Sequence, residues 1–170
     1  MRKLTVLVSL FFLTAAGHSQ NTVVRRPCSS PEASRFDFRV GNRDLSWNDT
    51  SRGTNTVLKI MDGCTVHENF NSPGNGYSGS SWSVYNPGMG AWQQTWIDNK
   101  GGYLTLTGKM ETGEMRLYTE ARHMPDGTEK SFRMVYFHIT PQKFDWEWES
   151  STGKGTTWET QWLIHYVRKG

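Results

Sequence analysis

The residues that carry chemistry in this sequence alternate with aromatic ones at a spacing of two. Glu68 falls on the same side of an extended chain as Cys64, Val66 and Phe70, with Thr65, His67 and Asn69 opposite. Gln94 and Asp98 share a side with Trp92 and Trp96, and His138 ends a side formed by Phe132, Met134 and Tyr136. Phe144, Trp146 and Trp148 line up opposite Asp145, Glu147 and Glu149. A carboxylate, an amide and an imidazole among rings must be partnered if buried, because an unpaired polar group inside a protein is costly. Two partners fit: a neighbouring side chain or ordered water, and a ligand held between aromatic surfaces by a few convergent polar groups. Glu147 and Glu149 have the spacing of an acid/base pair of glycosidase type, and equally that of a solvated outer face. His165 lies on the last extended segment, where a haem-ligating histidine is conceivable, but no second axial ligand accompanies it and no cofactor is expected. The sequence holds no G-x-S-x-G, H-E-x-x-H or P-loop pattern, and no zinc-type or other metal-ligand spacing.

The elements that must position these groups read as strands. Segments 36–40, 43–49, 54–61, 64–71, 77–86, 91–98, 103–110, 114–122, 130–140, 143–151 and 157–169 are rich in Val, Ile, Thr and aromatics at period two. Turn chemistry separates them: Asp62-Gly63, Pro73-Gly74-Asn75-Gly76, Asn86-Pro87-Gly88, Asp98-Asn99-Lys100-Gly101, Thr112-Gly113, Pro125-Asp126-Gly127 and Thr152-Gly153. Such short connections cannot carry parallel crossovers, so neighbours pair antiparallel. The sequence therefore predicts an all-β, antiparallel up-and-down meander of about eight to ten strands, closed into a barrel to remove its open edges. A two-sheet sandwich is disfavoured because no long crossing connection is present.

Ahead of the strands, Arg2-Lys3 precedes an uncharged, mostly apolar run from Leu4 to Ala16 and small residues at Gly17 and Ser19. This run is shorter than the about 20 residues a permanent span needs and has the form of a secretory signal peptide over 1–19. Residues 20–35 then form an N-terminal extension, and 36–170 the barrel domain. Export predicts a periplasmic or secreted protein without a stable membrane span. The formal charge of +3 falls to +1 once Arg2 and Lys3 are removed, too little to favour nucleic acid as a partner. The two cysteines, Cys28 and Cys64, would fold where disulfides persist. A bridge would close a loop of about 37 residues, worth about 4 kcal/mol in the chain-entropy limit, and would staple the extension to the body.

Read together, several motifs resemble a family of small exported bacterial proteins of unknown function. They are Phe36-Asp37-Phe38-x-Val40-Gly41, Asn55, Ile60-x-Asp62-Gly63-Cys64 and Glu68-Asn69. Tyr85-Asn86-Pro87-x-x-Gly90-x-Trp92-x-Gln94-x-Trp96-x-Asp98, the most specific part, follows. Trp148-Glu149-x-Ser151, Gly155-x-x-Trp158 and Tyr166-x-Arg168-Lys169 complete the match over nearly all of 36–169. The family is calycin-like, related in architecture to lipocalins and fatty-acid-binding barrels, so the resemblance implies a meander barrel with an internal cavity and no particular activity. The family usually has Trp where Arg39 stands and Gly-x-Trp where Gly41-Asn42-Arg43 stands. In lipocalin-type barrels that Trp plugs the closed end against a basic residue of the last strand, which makes Trp47 the substitute here.

These readings predict an exported barrel that binds a small, mainly apolar or aromatic molecule. Trp92, Trp96, Tyr136 and Trp148 would be walls, Glu68 and Gln94 orienting groups, and His138 a further polar contact. The alternatives are a barrel enzyme using Glu68 or the Glu147/Glu149 pair on a hydrophobic or glycosidic substrate, and a structural module of the cell envelope with a packed interior and an exposed apolar patch.

Overall fold

The computed structural model describes residues 28–152 and 155–170. The signal-peptide reading of 1–19, and residues 20–27 of the extension, lie outside the described residues. Eleven strands follow two short 3-10 turns. They are β1 (Gly41–Ser46), β2 (Arg52–Ile60), β3 (Thr65–Ser72), β4 (Tyr77–Asn86), β5 (Ala91–Asp98) and β6 (Tyr103–Glu111), then β7 (Glu114–Tyr118), β8 (Arg122–His123), β9 (Glu129–Phe137), β10 (Lys143–Ser151) and β11 (Glu159–Arg168).

Each strand pairs antiparallel with its neighbours, and β1 meets β11 while β9 meets β10, so the meander closes on itself. Ten strands form the ring; the two-residue β8 continues the line of β7 along β9. Closure removes the unpaired edges that a flat meander of this length would expose. Val66, Glu68 and Phe70 on β3, Trp92 and Gln94 on β5, and Phe144 and Trp146 on β10 are all buried, as the period-two pattern requires. Cys28 and Cys64 are bridged, tying the segment before β1 to the β2–β3 turn.

Three expected strands come out differently. Segment 36–40 is a 3-10 turn at Asp37–Arg39, closed by Arg39 N–H to Phe36 O (3.2 Å) and Val40 N–H to Asp37 O (3.0 Å). Lys59 holds it from outside through Asp37, at 2.8 Å. The turn aims Phe36 and Arg39 into the barrel, which a strand of that sequence could not do for residues three apart. Segment 114–122 divides into β7 and β8. Segment 130–140 stops at Phe137, because His138 takes a positive φ of 48° and turns the chain out of the ladder.

The end of the barrel near this turn is plugged by Phe36 and Phe38 packed on Trp92, Tyr136 and Phe144, with ring centroids 5.0–5.8 Å apart. Arg43 lies over Phe144 at 5.1 Å and donates to Phe38 O (2.5 Å) and Gln142 O (3.1 Å). Arg168 of β11 donates to Val40 O at 3.0 Å. Trp47 is not the plug: it packs on Phe70 (6.4 Å) and Trp162 (5.6 Å), toward the opposite end. Phenylalanines and two arginines therefore occupy the place that the resemblance gives to tryptophan.

Candidate functional site

Above the plug, in mid-barrel, a buried ion pair crosses the interior. Arg39 reaches Glu68 at 2.5 Å, with both side chains almost fully enclosed. The guanidinium lies 4.7 Å from the Phe36 ring and 5.0 Å from that of Tyr136, so its faces rest on aromatics while its edge meets the carboxylate. Glu68 Oε1 accepts from Asn55 Nδ2 (2.5 Å), and Oε2 from the Ser81 hydroxyl (2.6 Å). Burial alone would raise the Glu68 pKa; the Arg39 charge and the hydrogen bonds from Arg39, Ser81 and Asn55 outweigh it and leave it below the ordinary value. Burial likewise works against the Arg39 charge, yet Glu68 raises its pKa further above the ordinary value. Glu68 is thus a fixed carboxylate with both oxygens taken.

Beyond this floor lies a cavity of about 220 Å³ whose lining includes Glu68, Gln94, Trp96, Tyr136 and Trp148. Phe70, Trp146 and Trp162 complete an aromatic surround, with Leu104, Met134 and Ile164 between them. These walls are held edge to face: Trp162 meets Trp146 at 5.7 Å and Phe70 at 6.0 Å, while Phe132 stacks on Trp148 at 5.3 Å. Gly79 belongs to the same construction. The Trp96 indole fills the space a side chain there would need, so glycine on β4 lets the ring lie against the strand.

The polar groups above the ion pair are less well served. Gln94 is 1% exposed; its Oε1 accepts from the Ser83 hydroxyl at 3.2 Å, and its Nε2 meets only the Met134 sulfur, at 3.7 Å. The Tyr136 hydroxyl points at the same sulfur, at 4.0 Å. Burial pushes the Tyr136 pKa up, so the phenol stays protonated. Toward the rim, Asp98 accepts from Tyr77 (3.1 Å), Trp96 Nε1 (3.3 Å) and the backbone N–H groups of Lys100 (2.9 Å) and Gly102 (2.8 Å). Burial tends to raise the Asp98 pKa, but these four donors lower it. Burial, with Asp98 beside it, pushes the Tyr77 hydroxyl up to about 12.

Two of the residues read as site candidates stand elsewhere. Trp92 is buried in the plug, packed on Phe36 and donating from Nε1 to Glu32 O at 3.1 Å. His138 is 73% exposed and outside the barrel, where its Nδ1 meets Asp145 at 2.8 Å; His165 Nδ1 meets the other oxygen of that carboxylate at 2.7 Å. Glu147 and Glu149 also lie off the cavity, Glu149 in an ion pair with Arg133. Burial and the nearby Glu149 raise the Glu147 pKa.

Arg39 was missed as a partner of Glu68 because nothing in a period-two pattern sends a residue of 36–40 across the interior. Phe70, Asp98 and Trp146 were legible: each follows the alternation that marks Glu68, Gln94 and Trp148. Among the described residues no three His, Cys, Asp or Glu side chains are grouped to hold a metal, and no helix is long and apolar enough to cross a membrane. The fold and site together define a closed β-barrel with an aromatic-lined internal cavity. Compared with known proteins, the chain matches no family model and no curated protein.

Proposed function

We propose that this protein is an exported, calycin-like barrel that binds a small, mainly apolar or aromatic molecule in its interior. The cavity between Trp96, Trp146, Trp148 and Trp162 is the observation that carries this reading. Binding sites have such walls, concave and aromatic with few polar groups. Its 220 Å³ corresponds to roughly seven waters at about 30 Å³ each, and exceeds the roughly 150 Å³ of an engineered apolar cavity that accepts benzene. That favours a compact one- or two-ring molecule over haem or a long acyl chain. Export rests on the Arg2-Lys3 start, the apolar run behind it and the Cys28–Cys64 bridge.

An acid/base role for Glu68 draws no support from its surroundings, since an ion-paired carboxylate with a lowered pKa is a poor proton donor. The test is a tryptophan-fluorescence titration of the full chain with indole, naphthalene, haem and a long-chain fatty acid. Saturable binding of the first two and not of the last two is expected. Failure of all four to bind would overturn the reading.

A further inference from the structure

Two buried hydrogen-bond donors in the cavity converge on a sulfur. Gln94 Nε2 is 3.7 Å and the Tyr136 hydroxyl 4.0 Å from Met134 Sδ. A thioether is a weak acceptor, so neither donor has the partner that burial demands. Ser83 donates to the Gln94 carbonyl oxygen, which turns the amide nitrogen toward the cavity. Both side chains are at most 2% exposed and both line the cavity.

The charges fix the second property of the occupant. Arg39 is committed to Glu68, and among the described residues no cation lines the cavity. At the rim Asp98 is accompanied by Lys100, which lies over the Tyr77 ring at 5.3 Å, so the charges there offset one another, while an anion inside would find only an amide and a phenol. Arg122 and Lys130 lie over Phe132, which is not a lining residue. Glu68 is closed to an ammonium N–H because Asn55, Ser81 and Arg39 already occupy it, and Asp98 because of its four donors.

Building on the cavity reading above, we infer that the ligand is a neutral aromatic carbonyl compound of one or two rings. Its oxygen accepts from Gln94 Nε2 and the Tyr136 hydroxyl, and its rings lie between Trp96, Trp146 and Trp148. Met134 stands in for that oxygen when the cavity is empty of it, and its flexible thioether can move aside.

The experiment is a titration of the isotope-labelled full chain, followed by nuclear magnetic resonance, with three probes of nearly one shape. Acetophenone carries the carbonyl, α-methylstyrene replaces that oxygen by a methylene group, and benzoate carries a charge. Acetophenone should bind about ten-fold more tightly than α-methylstyrene, the yield of two modest hydrogen bonds, and benzoate more weakly than either. Tyr136→Phe and Gln94→Met should each lower the ratio of acetophenone to α-methylstyrene affinity. Equal affinity for acetophenone and α-methylstyrene would overturn the acceptor assignment while leaving the cavity reading intact. Benzoate binding as tightly as acetophenone would overturn neutrality. Binding of none of the three would overturn the inference and the cavity reading together. The comparison of probes on the unaltered chain decides the matter even if a variant fails to fold.

Discussion

The plugged half of the barrel and the hollow half are built from the same residue types, yet they use them oppositely. At the plug, every large group has a mate: Arg39 with Glu68, Arg43 with two carbonyls, Trp92 with Glu32 O, Phe36 with three rings. In the hollow half, tryptophans meet edge to face around a space, and Gln94 and Tyr136 share one sulfur. Enclosing polar groups among aromatics therefore does not by itself mark a binding site. The distinction is what the polar group faces: packed rings and a counter-charge at the plug, where Arg39 Nη1, Arg43 Nε and Asn55 Oδ1 still lack a hydrogen-bond partner, and open space in the hollow half. Glu68 and Gln94, alike in the sequence pattern, fall on opposite sides of it.

The largest expected effect lies at the plug. Arg39→Ala would strand a buried carboxylate and should lower stability by about 3–5 kcal/mol in urea denaturation. A loss below about 1 kcal/mol would mean that the two ends are not built differently. Reduction of the Cys28–Cys64 bridge should cost about 2–4 kcal/mol, read by the same denaturation with and without reductant, because it frees the segment that delivers the plug.

Acid gives a signed test. The Glu68 pKa is lower in the folded chain than its ordinary value, so its contribution is complete above the unfolded pKa and is lost as pH falls through the folded one. Unfolding followed from about pH 6 to below about pH 4 should show a steeper loss for the wild type than for Glu68→Gln, which starts less stable. Parallel curves would contradict a charged, paired Glu68. In the hollow half, Gln94→Met should change stability by less than about 1 kcal/mol, because it removes an amide whose nitrogen has only a sulfur for company. Outside both halves, His138→Ala should stay within about 0.5 kcal/mol in the same assay, as befits an exposed side chain beyond the end of β9.

Much of the barrel was readable in the sequence because two local signals coincide. The bounds of β4, β5 and β10 match their alternating segments, with Asn86-Pro87-Gly88 and Asp98 to Gly101 as the punctuation. Five candidate lining residues, Glu68, Gln94, Trp96, Tyr136 and Trp148, were legible for the same reason: inward position follows from period two alone. Position along the barrel axis does not. Trp92 has the parity of Trp96 but stands two inward positions nearer the plug, where Phe36 fills the space beside it. His138 has the parity of Tyr136, but its positive φ takes it outside. Arg39 required knowledge that 36–40 folds back over the barrel end, and that is decided by packing between parts of the chain far apart in sequence.

Crystals of the full chain pressurised with xenon test the central contrast most directly, since a dry apolar cavity takes up the gas and a packed interior does not. Xenon should occupy the space between Trp96, Trp146, Trp148 and Trp162, and none should appear between Phe36, Arg39 and Trp92. An empty hollow half, or xenon within the plug, would contradict the account.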